Sequence, residues 1–316
     1  MSVPWRPAVV RNLCARLGAL LLGLLLAGPL AAQAPDTTLV KAGRLLDPKT
    51  GNVLAPAAVL IENGKIKEVG SPLQLQAHVP SGTKTIDLGG ATLLPGLIDS
   101  HTHLLLDVTL PTEAEGSRRY NGAFATGLLL AIAMSPAERV LRGAQLARED
   151  LESGFTTVRN VGHSGIDGDV VLRDAINAGR VAGPRILASA RKLISQGAYI
   201  RNLNPALAES VVQQEFLQVG STDAARQAVR ANLFYNVDLI KITIEDDFTQ
   251  AEATAVVEEA HRQQLRVAIH ATTTASIQMA IDAGADSIEH ANNATDEQLK
   301  VMREKRIFLD ITPTWI

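Results

Sequence analysis

The chain has almost no cysteine: Cys14 is the single thiol in 316 residues. A disulfide framework is thereby excluded, so stability has to come from a buried apolar core. At this length the core can be one large domain, or a barrel with a small appendage. Excess positive charge is lacking as well: 30 Lys plus Arg stand against 33 Asp plus Glu, a formal net charge of −3. Nothing in that balance suggests nucleic acid as a partner. No G-x-G-x-x-G follows any strand-like run, so the nucleotide-binding form of an open α/β sheet has no support. Neither a sequence repeat nor a low-complexity stretch appears.

Long apolar runs are scarce, and the one that stands out lies at the start. Arg6, Arg11 and Arg16 precede the uncharged run LGALLLGLLLAGPL, which Ala32-Gln33-Ala34 follows. The run is shorter than the roughly 20 residues a spanning helix needs. Basic start, short apolar core and small residues together predict a secretory signal peptide over residues 1–34, with a membrane anchor as the alternative. Cys14 precedes the apolar core, which argues against a lipoprotein. Cleavage removes three arginines and the only cysteine, taking the formal charge from −3 to −6. The mature chain is then expected to be secreted or periplasmic, without a stable membrane anchor. Its oligomeric state stays open, a homo-oligomer included.

From residue 35 to 95 the apolar runs are short and separated by turn signals, with Asn63-Gly64 between two strand-like runs. This predicts a small β-sandwich-like unit with a hairpin at Asn63-Gly64. From residue 96 to 316 strand-like runs alternate with helical stretches. Candidate strands are Leu97–His103, Thr156–Val161, Arg185–Ala190, Val237–Ile244, Arg266–His270, Ser287–His290 and Ile307–Ile311. Thr249 and Thr295 are candidate helix N-caps and Gly284 a candidate C-cap. Repeated strand–helix units at this spacing predict an α/β fold with a parallel sheet, closed as a (β/α)8 TIM-type barrel or open and doubly wound.

Four of the seven histidines occupy one kind of position. His101 and His103, two apart at the end of an apolar strand, project from one face and can share a cation; His270 closes RVAIH and His290 closes DSIEH. In a barrel, strand C-termini are where active sites lie. His78, in the β unit, and His261, in a charged helix, are expected to face solvent. Lys241 interrupts the apolar run VDLIKITI, and alternation sets Leu239, Lys241 and Thr243 opposite Ile240, Ile242 and Ile244. If the isoleucines pack on helices, Lys241 points into the barrel, where a buried ammonium must find a partner or lose its proton. A neutral amine can take up carbon dioxide and become a carbamate whose oxygens bridge two cations. The alternatives are a lysine reaching the rim, or one paired with Asp238 or Glu245.

The runs ATLLPGLIDSHTHL, GFTTVRNVG, GPRILASARKLIS, VDLIKIT and VAIHATTTASIQMAIDAGADSIEHANN resemble the amidohydrolase superfamily, in particular its Xaa-Pro dipeptidase-like and imidazolonepropionase-related branch. The resemblance runs from about Leu39 to Thr314. It implies a TIM-type barrel and two divalent metal ions, zinc expected. His101 and His103 would hold one ion and His270 and His290 the other, with carboxylated Lys241 bridging them. Lys241, His270 and His290 would also serve catalysis, in which a metal-bridging hydroxide attacks a carbonyl. Family members carry a metal-ligating, proton-moving aspartate at the end of an eighth strand. This sequence reaches Ile316 just after the seventh, so the barrel is expected to be incomplete at its C-terminus; Asp310 lies within the seventh-strand run.

Asp99, on the strand of His101, can support the site from deeper in the barrel or be structural. Substrate contacts are expected from the loops after the second and third strands: His163, with Ser164 beside it, and Tyr199 and Arg201. An exposed loop arginine is the plain alternative for Arg201. The activity expected is hydrolysis of an amide bond in a small molecule such as a dipeptide or N-acyl amino acid. A cyclic amide or lactone hydrolase is the second reading, and a non-catalytic metal-binding remnant the third.

Overall fold

The computed structural model describes residues 36–106, 133–196, 198, 204–245 and 247–312. The signal-peptide reading over 1–34, and Tyr199 and Arg201, therefore lie outside the described residues. The chain divides into two compact units, one ending at Pro95 and the other starting at Gly96.

The first unit holds β1 (Thr37–Ala42), β2 (Arg44–Leu46), β3 (Val53–Leu54), β4 (Ala57–Glu62), β5 (Lys65–Gly70), α1 (Pro72–Leu75), β6 (Lys84–Asp87) and β7 (Thr92–Leu93). They form two sheets, ordered β5-β4-β1-β6 and β3-β2-β7. The β4–β5 hairpin turns at Asn63 and Gly64, whose φ angles of 51° and 72° are those a two-residue turn of twist-compatible hand requires. Leu39, Ala58, Leu60 and Leu75 make its core.

In the second unit β8 (Leu97–Thr102), α2 (Pro136–Glu152), β9 (Phe155–Asn160), α3 (Gly168–Asn177), β10 (Arg185–Leu187) and β11 (Lys192–Ser195) come first. After them follow α4 (Pro205–Glu215), β12 (Phe216–Val219), α5 (Thr222–Leu233), β13 (Leu239–Thr243) and α6 (Gln250–Arg262). The last elements are β14 (Arg266–Ala271), α7 (Thr274–Ala283), β15 (Ser287–His290), α8 (Asp296–Lys305) and β16 (Phe308–Asp310). All described pairings here are parallel, in the orders β10-β9-β8 and β12-β11-β13-β14-β15-β16. β10 and β11 are two parts of one stave: β10 pairs with β9 and β11 with β13. The result is a (β/α)8-type barrel whose staves, among the described residues, are β8, β9, β10 with β11, β13, β14, β15 and β16. β12 is an extra strand on the edge of β11. The sequence suggested one strand over 185–190; instead β10 stops at Leu187 and the chain breaks at Ala190, where φ is 55°.

The staves carry two cores. Ile240 and Ile242 of β13 join the large core that includes Val256, Val257 and Ala260 of α6, while Leu239 packs with Val161 and Ala268 in a separate cluster. Lys241 shares the face of Leu239. Helix starts are set by local chemistry: Thr249, Thr273 and Thr295 each cap a helix and take part in a capping box, and Gly284 ends α7 at φ 84°. The loops at the strand ends are pinned by two buried polar groups. Asn160 accepts from the Leu104 N–H at 2.8 Å and donates to Asp169 at 3.0 Å, and Asp169 accepts from the N–H groups of Ser189 and Ala190 at 3.0 and 3.1 Å.

Candidate metal centre

Four histidines from three staves meet in a chain of ring contacts. Ring centroids lie 5.3 Å apart for His103 and His101, 4.8 Å for His101 and His290, and 4.4 Å for His290 and His270. The Nδ1 atoms of two of them are already engaged: His101 with Glu289 Oε2 at 2.8 Å, and His103 with the Gly162 carbonyl at 3.1 Å. This leaves Nε2 of each for a cation, the arrangement in which an outer partner fixes a ligand's tautomer and ring plane. His290 Nδ1 contacts Thr312 Oγ1.

Lys241 lies among these rings, 1% exposed, and its Nζ has no hydrogen-bond partner among the described residues. The alternatives from the sequence do not apply: Asp238 pairs with Arg173 at 2.7 Å, and Glu245 accepts from Thr272 Oγ1 and Ser276 Oγ, both at 2.8 Å. Burial lowers the Lys241 ammonium to about 8, against the raising pull of Glu289. Burial likewise holds the imidazoles of His101, His103 and His270 well below their ordinary range, and His290 at about 4, with the Lys241 charge adding to each. Neutral imidazoles around an unsatisfied buried amine form a donor set that fits divalent cations and does not suit an empty apolar core.

Two backbone irregularities aim these groups. The β8–β9 register shifts between Asp99 and Thr102, and the Asp99 carboxylate accepts from the His101 N–H at 2.9 Å. Asp99 thereby holds the backbone that carries His101, and its charge raises the pKa of Asp150 on α2 after burial itself. On β15, Ile288 packs in the helix-side core while Ser287 and Glu289 meet Arg159. Alternation would send His290 outward with Ile288. Its φ of 72°, followed by 47° at Ala291, turns it back onto His101 and His270.

Below the rings Arg159 Nη2 contacts Glu289 at 2.8 and 2.9 Å and Asp310 at 3.2 Å, and Asp310 meets Ser100. His101, Glu289 and Asp310 offer donor atoms within 4.8 Å of one another. The guanidinium already engages both carboxylates, so this trio is a neutralised floor under His101.

Of the expected substrate contacts, His163 is 2% exposed and its ring lies 4.9 Å from that of His103. Ser164 is held by Asn160 Nδ2 at 2.6 Å. Tyr199 and Arg201 lie outside the described residues. Sequence reasoning missed Arg159, Glu289 and Lys192. Glu289 had a weaker signal: it is a charge at the inward position of the short, buried strand Ser287–His290.

Comparison with known proteins places the geometry in context. The sequence model of the amidohydrolase family matches residues 92–315. Ochratoxinase from Aspergillus niger is 29% identical over 311 residues, covering 88% of this chain and 60% of that protein. Imidazolonepropionase from Anaeromyxobacter dehalogenans is 25% identical over 292 residues, covering 84% and 65%. The crystal structure of A. niger ochratoxinase matches with a TM-score of 0.71 at 26% identity, covering 87% of this chain and 65% of that one. A Xaa-Pro dipeptidase with bound methionine in the active site matches with a TM-score of 0.67 at 28% identity, covering 86% and 66%. This chain thus spans less than two thirds of the length of these relatives.

Proposed function

The chain belongs to the amidohydrolase family, and from that premise we propose that it is an exported, metal-dependent hydrolase cleaving an amide bond in a small molecule such as a dipeptide or N-acyl amino acid. The observation that carries this reading is the Lys241 amine, buried without a hydrogen-bond partner among the described residues on the strand next to that of His270, its charge acting on all four clustered imidazoles. His101 and His103 would hold one cation and His270 and His290 another, with Lys241, carboxylated, between them. Divalent cations bound there, zinc being the best match to a nitrogen-rich donor set, would polarise the scissile carbonyl and acidify the attacking water. Carboxylation of Lys241 forms an N–C bond from the neutral amine to carbon dioxide and releases one proton. Glu289 and the Gly162 carbonyl hold the first two rings in place, and His163 faces the substrate. Export is supported by the basic start and short apolar run of residues 1–34.

The test is to load the purified protein with zinc, manganese or cobalt and follow amine release from a panel of dipeptides and N-acyl amino acids. Turnover should vanish with chelator and return with metal. His101→Ala and His103→Ala should each lower metal content by elemental analysis; unchanged stoichiometry in both would remove the metal site. Lys241→Ala should lose one ion, partly restored by acetate or formate. A carbamate signal after 13C-bicarbonate treatment should disappear in that variant.

A further inference from the structure

The end of the barrel away from the histidines holds a cavity. Among the described residues it measures about 290 Å3 and takes its lining from every described stave. The histidines stand at or near the C-terminal ends of β8, β14 and β15, whereas Leu239, Arg266, Ser287 and Phe308 open β13, β14, β15 and β16 and line the cavity. A closed barrel ordinarily fills this level with branched side chains. Here two inward positions are small: Ala268 lies two residues before His270 on β14, and Ser287 two before Glu289 on β15. Leu187, Leu239, Ala268 and Phe308 supply apolar walls, and Phe308 remains 70% exposed, so its ring is available to a partner.

The deep end of this space is polar. Arg159 and Asp310 line it there, with the Asp310 side chain only 14% exposed. Asp310 Oδ2 is engaged by Ser100 and Arg159, while Oδ1 accepts no hydrogen bond from the described residues. At the mouth Arg266 pairs with Asp286 at 3.1 Å. Of the charged residues lining the cavity, Asp238, Asp286 and Asp310 are acidic and Arg159 and Arg266 basic, an excess of one negative charge. Glu289 and Lys241, which do not line it, carry opposite charges and offset each other. An anion would meet the acidic excess, and an uncharged molecule would leave it unanswered. An ammonium answers it with a charge-assisted hydrogen bond, roughly twice as strong as a neutral one. We propose that this cavity is a second ligand site, separate from the histidine cluster, for a small primary amine with an apolar body. The ammonium donates to Asp310 Oδ1, and the body lies along Leu239, Ala268 and Phe308. Small-molecule pockets begin at roughly 300 Å3, so the space suits a molecule of benzylamine's size. The inference needs neither metal nor turnover and stands independently of the hydrolase reading.

The experiment uses the full chain after chelator treatment, so that no metal competes for the amine. Titration calorimetry compares benzylamine with benzyl alcohol, its uncharged near-isostere, and with benzoate. Benzylamine should bind on the order of tenfold or more tighter than the alcohol, the size expected of one charge-assisted contact, and benzoate more weakly than either. Asp310→Asn keeps the shape and removes the charge. In that variant the advantage of the amine should shrink to within about twofold while affinity for the alcohol is kept, near-UV circular dichroism reporting the fold. Independently of any variant, anomalous diffraction from crystals grown with para-bromobenzylamine should place the bromine beside Leu239, Ala268 and Phe308. Equal affinities for amine and alcohol, an advantage that survives Asp310→Asn, or bromine found at the histidine cluster or elsewhere overturns the proposal.

Discussion

At the scale of single residues, the site is governed by what stands behind the clustered histidines. Glu289 is fully buried, accepts from Ser287 Oγ at 2.6 Å and contacts His101 Nδ1 at 2.8 Å, so it sets which nitrogen of His101 faces a cation. Glu289→Gln keeps the shape and removes the charge, leaving Arg159 with Asp310 as its remaining acid among these groups. Metal affinity should fall by roughly tenfold to a hundredfold, measured by competition with a chromophoric chelator, with secondary structure unchanged. An unaltered affinity would show that Glu289 serves Arg159 alone. Lys241 was legible in the sequence because a charge inside an isoleucine-rich run stands out against its neighbours. Lys192 was not, because Arg191 precedes it and makes the pair read as a solvated charge cluster.

At the scale of elements, legibility followed period and punctuation. The strands that end in histidine and the helices over α6, α7 and α8 have clear alternation or caps, and they fold near where the sequence puts them. β11 and β12 were missed for physical reasons. All four residues of β11 are buried, so no alternation marks it, and β12 follows α4 without any turn residue between Glu215 and Phe216. Caps also allow a local prediction. Thr249 accepts from the Glu252 N–H at 3.2 Å and Glu252 returns the bond to the Thr249 N–H at 2.9 Å. Thr249→Ala should lower stability by about 1 kcal/mol in urea titration, with an unchanged slope against denaturant. A change below about 0.3 kcal/mol would mean that tertiary contacts alone hold the start of α6.

At the scale of the whole molecule, the site sets how stability responds to acid. His101, His103, His163, His270 and His290 all have folded-state values lowered by burial first, His290 to about 4. In the unfolded chain each returns to about 6.5. Between the folded and unfolded values the unfolded state binds more protons, so stability falls as pH falls. Each such group contributes about 1.4 kcal/mol per pH unit within its window. The metal-free protein should melt at a clearly lower temperature at pH 5 than at pH 7 by scanning calorimetry. Equal melting temperatures would mean that these imidazoles are not buried neutral in solution.

The left-handed backbone at His290 and Ala291 has a consequence for inheritance. A strand normally grants its inner wall every second residue, so two cooperating side chains are separated by a third that answers to a different surface. At the end of β15 the phase slips, and Glu289, which braces His101, stands directly beside His290, which contacts it. Brace and proposed ligand are encoded by adjacent codons and travel together through recombination. The arrangement is correspondingly intolerant of a return to regular geometry: with ordinary strand φ at His290 and Ala291, alternation would carry the His290 ring to the helix-side face with Ile288, away from His101 and His270.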